Sequence, residues 1–169
     1  MNSIDFFKQI NFETEDNNNF FMLLDTAKNH LYIKQWLNKL SKSEQKKIGN
    51  LFENTIDETS PLEVSPLLIP ITKESSELLQ KKLVVGETIG MFSIIETSLS
   101  KQQLIQHLQP FLQAELPSEE LALFRFYDPA IIKILNKMLD DESYMVLLKP
   151  ISNWWYQEFD STLHNIVSL

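Results

Sequence analysis

The sequence predicts an α/β fold: a single domain with a mostly parallel central sheet of about five strands flanked by helices. Three observations predict it. Apolar runs of strand length alternate with segments of helical period, and parallel neighbours need crossover connections of that kind. The chain has 169 residues, the size of one domain rather than two. Hydrophobic residues make up 43% of it against 22% charged, the balance of a chain that folds around a core.

The elements follow in order. Residues 1–19 are an N-terminal segment, 20–160 the domain proper, and 161–169 a C-terminal tail. Residues 11–19, with asparagines at Asn17 to Asn19, read as an exposed connection. Phe20 to Leu24 is a continuous apolar run, as a strand covered on both faces requires. Lys28 to Leu40 places Tyr32, Ile33, Trp36, Leu37 and Leu40 on one helical stripe. The polar stretch Ser41 to Ser65 predicts a short helix and a long surface loop. Pro66 to Ile71 is a strand whose prolines make it peripheral or irregular. Glu74 to Val84 reads as a helix carrying Leu78, Leu79 and Leu83, with Gly86 at its left-handed end.

Met91 to Glu96 is the third strand. Ser100 and Gln103 have capping-box spacing and open a helix with Leu104, Ile105, Leu108, Phe111 and Leu112, bent by Pro110. Ala122 to Tyr127 is an aromatic-rich fourth strand. Asp128 and Pro129 then supply an N-cap and a first-turn proline to a helix that turns Ile131, Ile134, Leu135 and Met138 inward. Tyr144 to Leu148 is the fifth strand.

Composition removes several functions. Fifteen basic against 23 acidic residues give a net charge of −8, a field that repels phosphate backbones, so neither nucleic acid nor an anionic membrane is expected as a partner. Cysteine is absent, which excludes disulfides, thiolate metal sites and cysteine nucleophiles. The glycines, Gly49, Gly86 and Gly90, form no phosphate-binding pattern, and no nucleophile elbow is present. His30, His107 and His164 stand without ligand spacing, so no metal and no cofactor are expected. The N-terminus lacks the basic start and apolar run of a signal peptide, and no stretch approaches the ~20 apolar residues of a spanning helix. A cytoplasmic protein is expected.

Asp25, Glu96 and Asp128 each follow an expected strand, where ligands of open parallel sheets bind. They suit acid–base chemistry, but Asp25 and Asp128 also suit helix caps. Arg125, the only arginine, sits in Phe124-Arg125-Phe126-Tyr127-Asp128-Pro129. Alternation puts it on the face opposite Phe124 and Phe126, beside Tyr127. It needs a carboxylate, and Asp25, Glu96 or Asp128 can serve; alternatively its planar fork anchors a partner's carboxylate. In Trp154-Trp155-Tyr156, adjacent tryptophans on a strand point to opposite faces, so one packs inward while the other is partly exposed, either at an interface or over a sheet edge.

Together, Leu23-Leu24-Asp25-Thr26-Ala27, Ser65-Pro66-Leu67-Leu68-Ile69, Phe124 to Pro129, and Pro150-Ile151 leading to Trp154-Trp155 resemble the effector-chaperone or adaptor family of bacterial type VI secretion systems, once catalogued as a domain of unknown function. The resemblance spans about residues 20 to 156, and its specific element is R-F-Y-D-P. It implies a non-enzymatic protein that binds a cognate effector in the cytoplasm and helps load it onto the valine–glycine repeat (VgrG) spike protein. The residues themselves suggest recognition through exposed aromatic and apolar surface around the C-terminal strand, with Arg125, Tyr127, Asp128, Trp154, Trp155, Tyr156 and Asp25 binding the partner or organising the site. Ala130 stands where the family often has a second arginine. Many members carry a further C-terminal lobe, whose contacts are not carried over to this sequence. The alternatives are an immunity-type toxin inhibitor and a small enzyme that uses the strand-end carboxylates.

Overall fold

Asn19–Leu24 forms strand β1, buried at every position after the first. A strand so enclosed belongs inside a sheet with both faces covered. In the computed structural model, which describes residues 1–10, 18–75, 79 and 86–167, β1 lies near the middle of six strands. The others are β2 (Gly49–Asn50), β3 (Leu67–Ile71), β4 (Phe92–Thr97), β7 (Ile151–Gln157) and β8 (Leu163–Asn165), in the order β2-β3-β1-β4-β7-β8. A separate two-stranded ribbon pairs β5 (Gln113–Glu115) with β6 (Leu121–Leu123).

Every pairing is antiparallel, which overturns the expected parallel sheet. The crossovers inferred from the alternation do exist. Both β3 and β4 run against β1, so they run in the same direction as each other, but β1 lies between them. A crossover that skips one strand produces the same sequence alternation as a parallel pair. The central sheet is therefore an antiparallel α+β layer.

Period-two alternation splits the apolar runs between two cores. Phe21, Leu23, Leu68, Ile95 and Trp154 face one side, where Leu104, Ile105 and Leu108 of the helix Lys101–Leu108 join Phe126, Leu135 and Leu147. Phe20, Met22, Ile69 and Ile94 face the other, covered by Phe6 and Phe7 of the helix Ser3–Gln9 and by Ile33, Trp36 and Leu37 of the helix His30–Leu37. Each large side chain fully buried this way contributes about 1.5–3 kcal/mol. Pro70 is tolerated because β2 pairs only with Leu67 and Leu68, so β3 has no β2 neighbour at that position. The capping box at Ser100 forms, and Pro110 falls in a 3-10 turn, Gln109–Leu112.

Several expected elements are corrected. The fourth strand stops at Leu123, and Phe124 to Asp128 form turns, with the Asp128 amide donating to the Arg125 carbonyl at 3.0 Å. Consecutive Phe126 and Tyr127 are both buried in the same core, whereas on a strand they would point to opposite faces. The helix after Asp128 is two short helices, Pro129–Ile132 and Leu135–Met138, which bury Ile132 and Leu135 and leave Ile134 and Met138 exposed. Tyr144 to Leu148 is helical within Asp141–Leu148, because Asp140 caps the Ser143 amide at 2.8 Å; a short apolar run does not itself distinguish a strand from a buried helix. The last long strand is β7, which carries the tryptophans. The expected helix Glu74–Val84 falls largely outside the described residues, as does most of the connection 11–19. Phe6 and Phe7 join one core, and β8 extends the sheet.

Candidate functional site

Two segments one hundred residues apart clasp each other by charge. Asp25 precedes and Lys28 lies within the 3-10 turn Thr26–Asn29 that follows β1, and Arg125 and Asp128 bracket the turn that follows β6. Arg125 Nη2 donates to Asp25 Oδ2 at 2.7 Å, and Lys28 Nζ donates to Asp128 Oδ1 at 2.5 Å. The signs are reciprocal and both pairs use a spacing of three residues, so the two turns match as acid-x-x-base against base-x-x-acid. Lys28 also donates to the Gly90 carbonyl at 3.0 Å, tying the clasp to the turn before β4.

The clasp is asymmetric. The Asp25 side chain is 1% exposed and that of Arg125 43%. Among the described residues Asp25 Oδ1 has no hydrogen-bond partner, so Arg125 carries most of the compensation for a carboxylate held away from water. Burial pushes the Asp25 carboxyl above its ordinary range, although the Arg125 charge and hydrogen bond pull it down. Burial also works against the Arg125 charge, but Asp25 outweighs it and the guanidinium is held more firmly protonated. The buried Tyr127 phenol is pushed up to about 12, first by desolvation and then by the negative charge of Asp25. Its ring lies 6.0 Å from the Arg125 guanidinium carbon. A planar fork fixed by a buried carboxylate on one side and open to water on the other is prepared to take a second acceptor.

Asp25 does not cap the following helix, as the sequence suggested; that role falls to Asn29, which accepts from the Tyr32 amide at 3.4 Å. Asp128 does cap its helix, accepting from the Ala130 amide at 2.9 Å. Glu96 is elsewhere. In antiparallel β1 and β4 the carboxyl ends point opposite ways, so Glu96 pairs in register with Phe20 at the far end of β1 from Asp25. There it accepts from Asn18 at 3.0 Å and Asn153 at 2.7 Å. The three carboxylates do not converge.

The aromatic residues divide between the cores and one small cleft. Trp154 is fully buried, its indole N–H donating to Ser93 Oγ at 2.9 Å and its ring edge-on to Phe126. Trp155 points to the opposite face, half-buried against Phe6 with centroids 4.9 Å apart. Tyr156 is buried and stacks on His164. A cleft of about 180 Å³ between Tyr156, Lys28, Ala130 and Lys133 adjoins the clasp, rimmed by Phe159, which is 82% exposed. The clasp thus unites Asp25, Arg125, Tyr127 and Asp128, and Tyr156 shares the adjoining cleft, whereas Trp154 and Trp155 serve the packing of the sheet. Sequence reading missed Lys28, which the matched spacing of opposite charges could have revealed, and Phe159, which carries no pattern.

Among the described residues no helix is long and apolar enough to cross a membrane, and no group of three or more His, Asp or Glu side chains could hold a metal ion. A family model described as Domain of unknown function (DUF4123) matches residues 20–145, about three quarters of the chain and the whole of the clasp. No curated protein and no solved structure matches the chain.

Proposed function

This chain belongs to the DUF4123 family, and from that premise we propose that it is a non-enzymatic adaptor that binds a type VI secretion effector in the cytoplasm and helps load it onto the VgrG spike protein. The reading rests on the R-F-Y-D-P segment and on one observation: Arg125, anchored by the buried Asp25, keeps 43% of its side chain exposed. Such a group supports recognition of a carboxylate or carbonyl on a partner, because its orientation is fixed before binding. Phe159, exposed at the rim of the neighbouring cleft, supports the same reading as an apolar contact beside a charged one.

Co-expression with the effector and spike proteins encoded beside it tests the reading. A complex that survives size-exclusion chromatography is expected, and Arg125→Lys, which keeps the charge but loses the fork, weakens it about tenfold. Failure to form a complex with any neighbouring effector or spike protein overturns the proposal. Protection of cells from the effector by this protein alone, without delivery, favours an inhibitor instead.

A further inference from the structure

The charge of the chain is unevenly distributed. Residues 48–72 and 102–124 contain seven carboxylates and no lysine or arginine. The fold brings these two stretches together, as the Gln109 side-chain amide donates to the carbonyls of Leu51 at 3.2 Å and Glu53 at 2.7 Å. Between them lies an open groove of about 560 Å³, lined by Asn54, Ile56, Asp57, Gln109, Leu112 and Gln113.

Gln113 carries the groove onto the β5–β6 ribbon. It pairs in register with Leu123, and Glu115 with Leu121. Leu121 is 65% exposed, Leu123 and Leu116 are 42% exposed, and Ile56 across the groove is 76% exposed. Exposed Glu115, Glu119 and Glu120 surround these leucines, and exposed Glu53 and Glu58 flank Ile56. Glu63 is excluded because it pairs with Lys34 at 3.1 Å. Of the cations bounding the two stretches, Lys101 is engaged by the Lys47 carbonyl at 2.9 Å and Arg125 by Asp25. Asp57 lies close enough to the clasp to disfavour ionisation of Tyr127.

A two-stranded ribbon is marginal alone, and leucines on its outer face among carboxylates are a surface that gains by being covered. We infer that this groove and ribbon bind a cationic segment of the partner protein, one that places leucine-sized side chains on Ile56, Leu121 and Leu123 and lysines or arginines against the surrounding carboxylates. The inference rests on the adaptor reading for the identity of the partner and supplies the surface and chemistry of the contact. Apolar burial provides affinity, and the field of the carboxylates provides orientation and association rate.

The probe is a fluorescent synthetic peptide of alternating leucine and lysine, with a leucine–glutamate peptide as control, followed by anisotropy; ¹⁵N shift mapping locates the contact. Expected are binding of the lysine peptide only, weakening with added salt, and shifts confined to residues 53–57 and 113–123. Two variants, Leu121→Ser with Leu123→Ser and Glu119→Gln with Glu120→Gln, change exposed side chains only, and each weakens binding at least tenfold. Equal binding by the variants, or shifts elsewhere, overturns the inference. In the co-expression assay an effector complex indifferent to both variants overturns this inference and leaves the adaptor reading standing. Absence of any complex overturns the adaptor reading, while the peptide measurement still decides the groove.

Discussion

Replacing Arg125 by glutamine removes the one hydrogen-bond partner that the described residues give to a carboxylate 1% exposed. Breaking a fully buried ion pair costs about 3–5 kcal/mol. The Arg125 side chain is 43% exposed, so water reaches part of the space it leaves, and the expected loss is about 2–3 kcal/mol at pH 7. For a chain of 169 residues that lowers the midpoint of thermal unfolding by about 5–10 °C. The loss depends on pH in a defined direction. Asp25 is held above its ordinary value of 3.8, so the folded state binds its proton more tightly than the unfolded state, and stability falls as pH rises from 3.8 through the folded value. Removing Arg125 removes the two largest influences that lower that value and leaves the weaker one of Lys28, which extends the window upward and deepens the loss. Below pH 3.8 the carboxyl is protonated in both states and the deficit of the variant shrinks. Asp25→Asn in the Arg125→Gln background removes the uncompensated charge and recovers about half the loss. Urea unfolding of the four proteins at pH 4 and pH 7 measures this. A deficit that is equal at the two pH values, or a double variant no more stable than Arg125→Gln, refutes the reasoning.

Trp154→Phe leaves Ser93 Oγ buried without its donor and opens space beside Phe126, and costs about 2–3 kcal/mol by chemical denaturation. Gln157→Leu strands the Gly90 amide, which donates to the Gln157 carbonyl oxygen at 2.9 Å, and removes the Gln157 amide bond to Ser3 Oγ at 3.0 Å. It costs about 2–3 kcal/mol and raises hydrogen exchange at Gly90 more than elsewhere. Gly49→Ala places a methyl 2.6 Å from Ile105 Cδ1; because the obstruction is the tip of a side chain, the cost is limited to about 1–2 kcal/mol, seen as a lower unfolding midpoint. Spectrophotometric titration of the tyrosines shows Tyr127 ionising near 12, with stability falling as pH rises from 10 toward that value, and Tyr127→Phe removes that last step.

Much of the local structure was legible because it rests on local chemistry. The Ser100 capping box, the Asp128-Pro129 helix start and the apolar run of β1 are each decided by residues within one turn or one strand. Strand direction was not legible. It depends on which non-consecutive strands become neighbours, and inserting β1 between β3 and β4 leaves the order of elements along the chain unchanged. That same reversal separated Glu96 from Asp25, so the expected gathering of carboxylates failed with the expected sheet. The Arg125–Asp25 pair was within the reach of sequence reasoning, since a lone guanidinium in an aromatic segment needs an acid. The acidic groove was not, because its two halves lie about fifty residues apart and show their common charge only when folded together.

The union of the two chain ends sets an order of events in biosynthesis. Leu163 donates its amide to the Met1 carbonyl at 2.8 Å, Ser3 donates to the Ser161 carbonyl at 3.0 Å, and the Ser3 hydroxyl meets Gln157 across 154 positions. The helix Ser3–Gln9 is therefore synthesised long before the strands that hold it in place. At about 5–20 residues per second, Phe6 and Phe7 wait on the order of ten seconds for β7 and β8. Contacts of such long sequence separation also slow refolding of the finished chain, so closure of the sheet is its slow step and exposure of those phenylalanines the interval in which aggregation competes with folding.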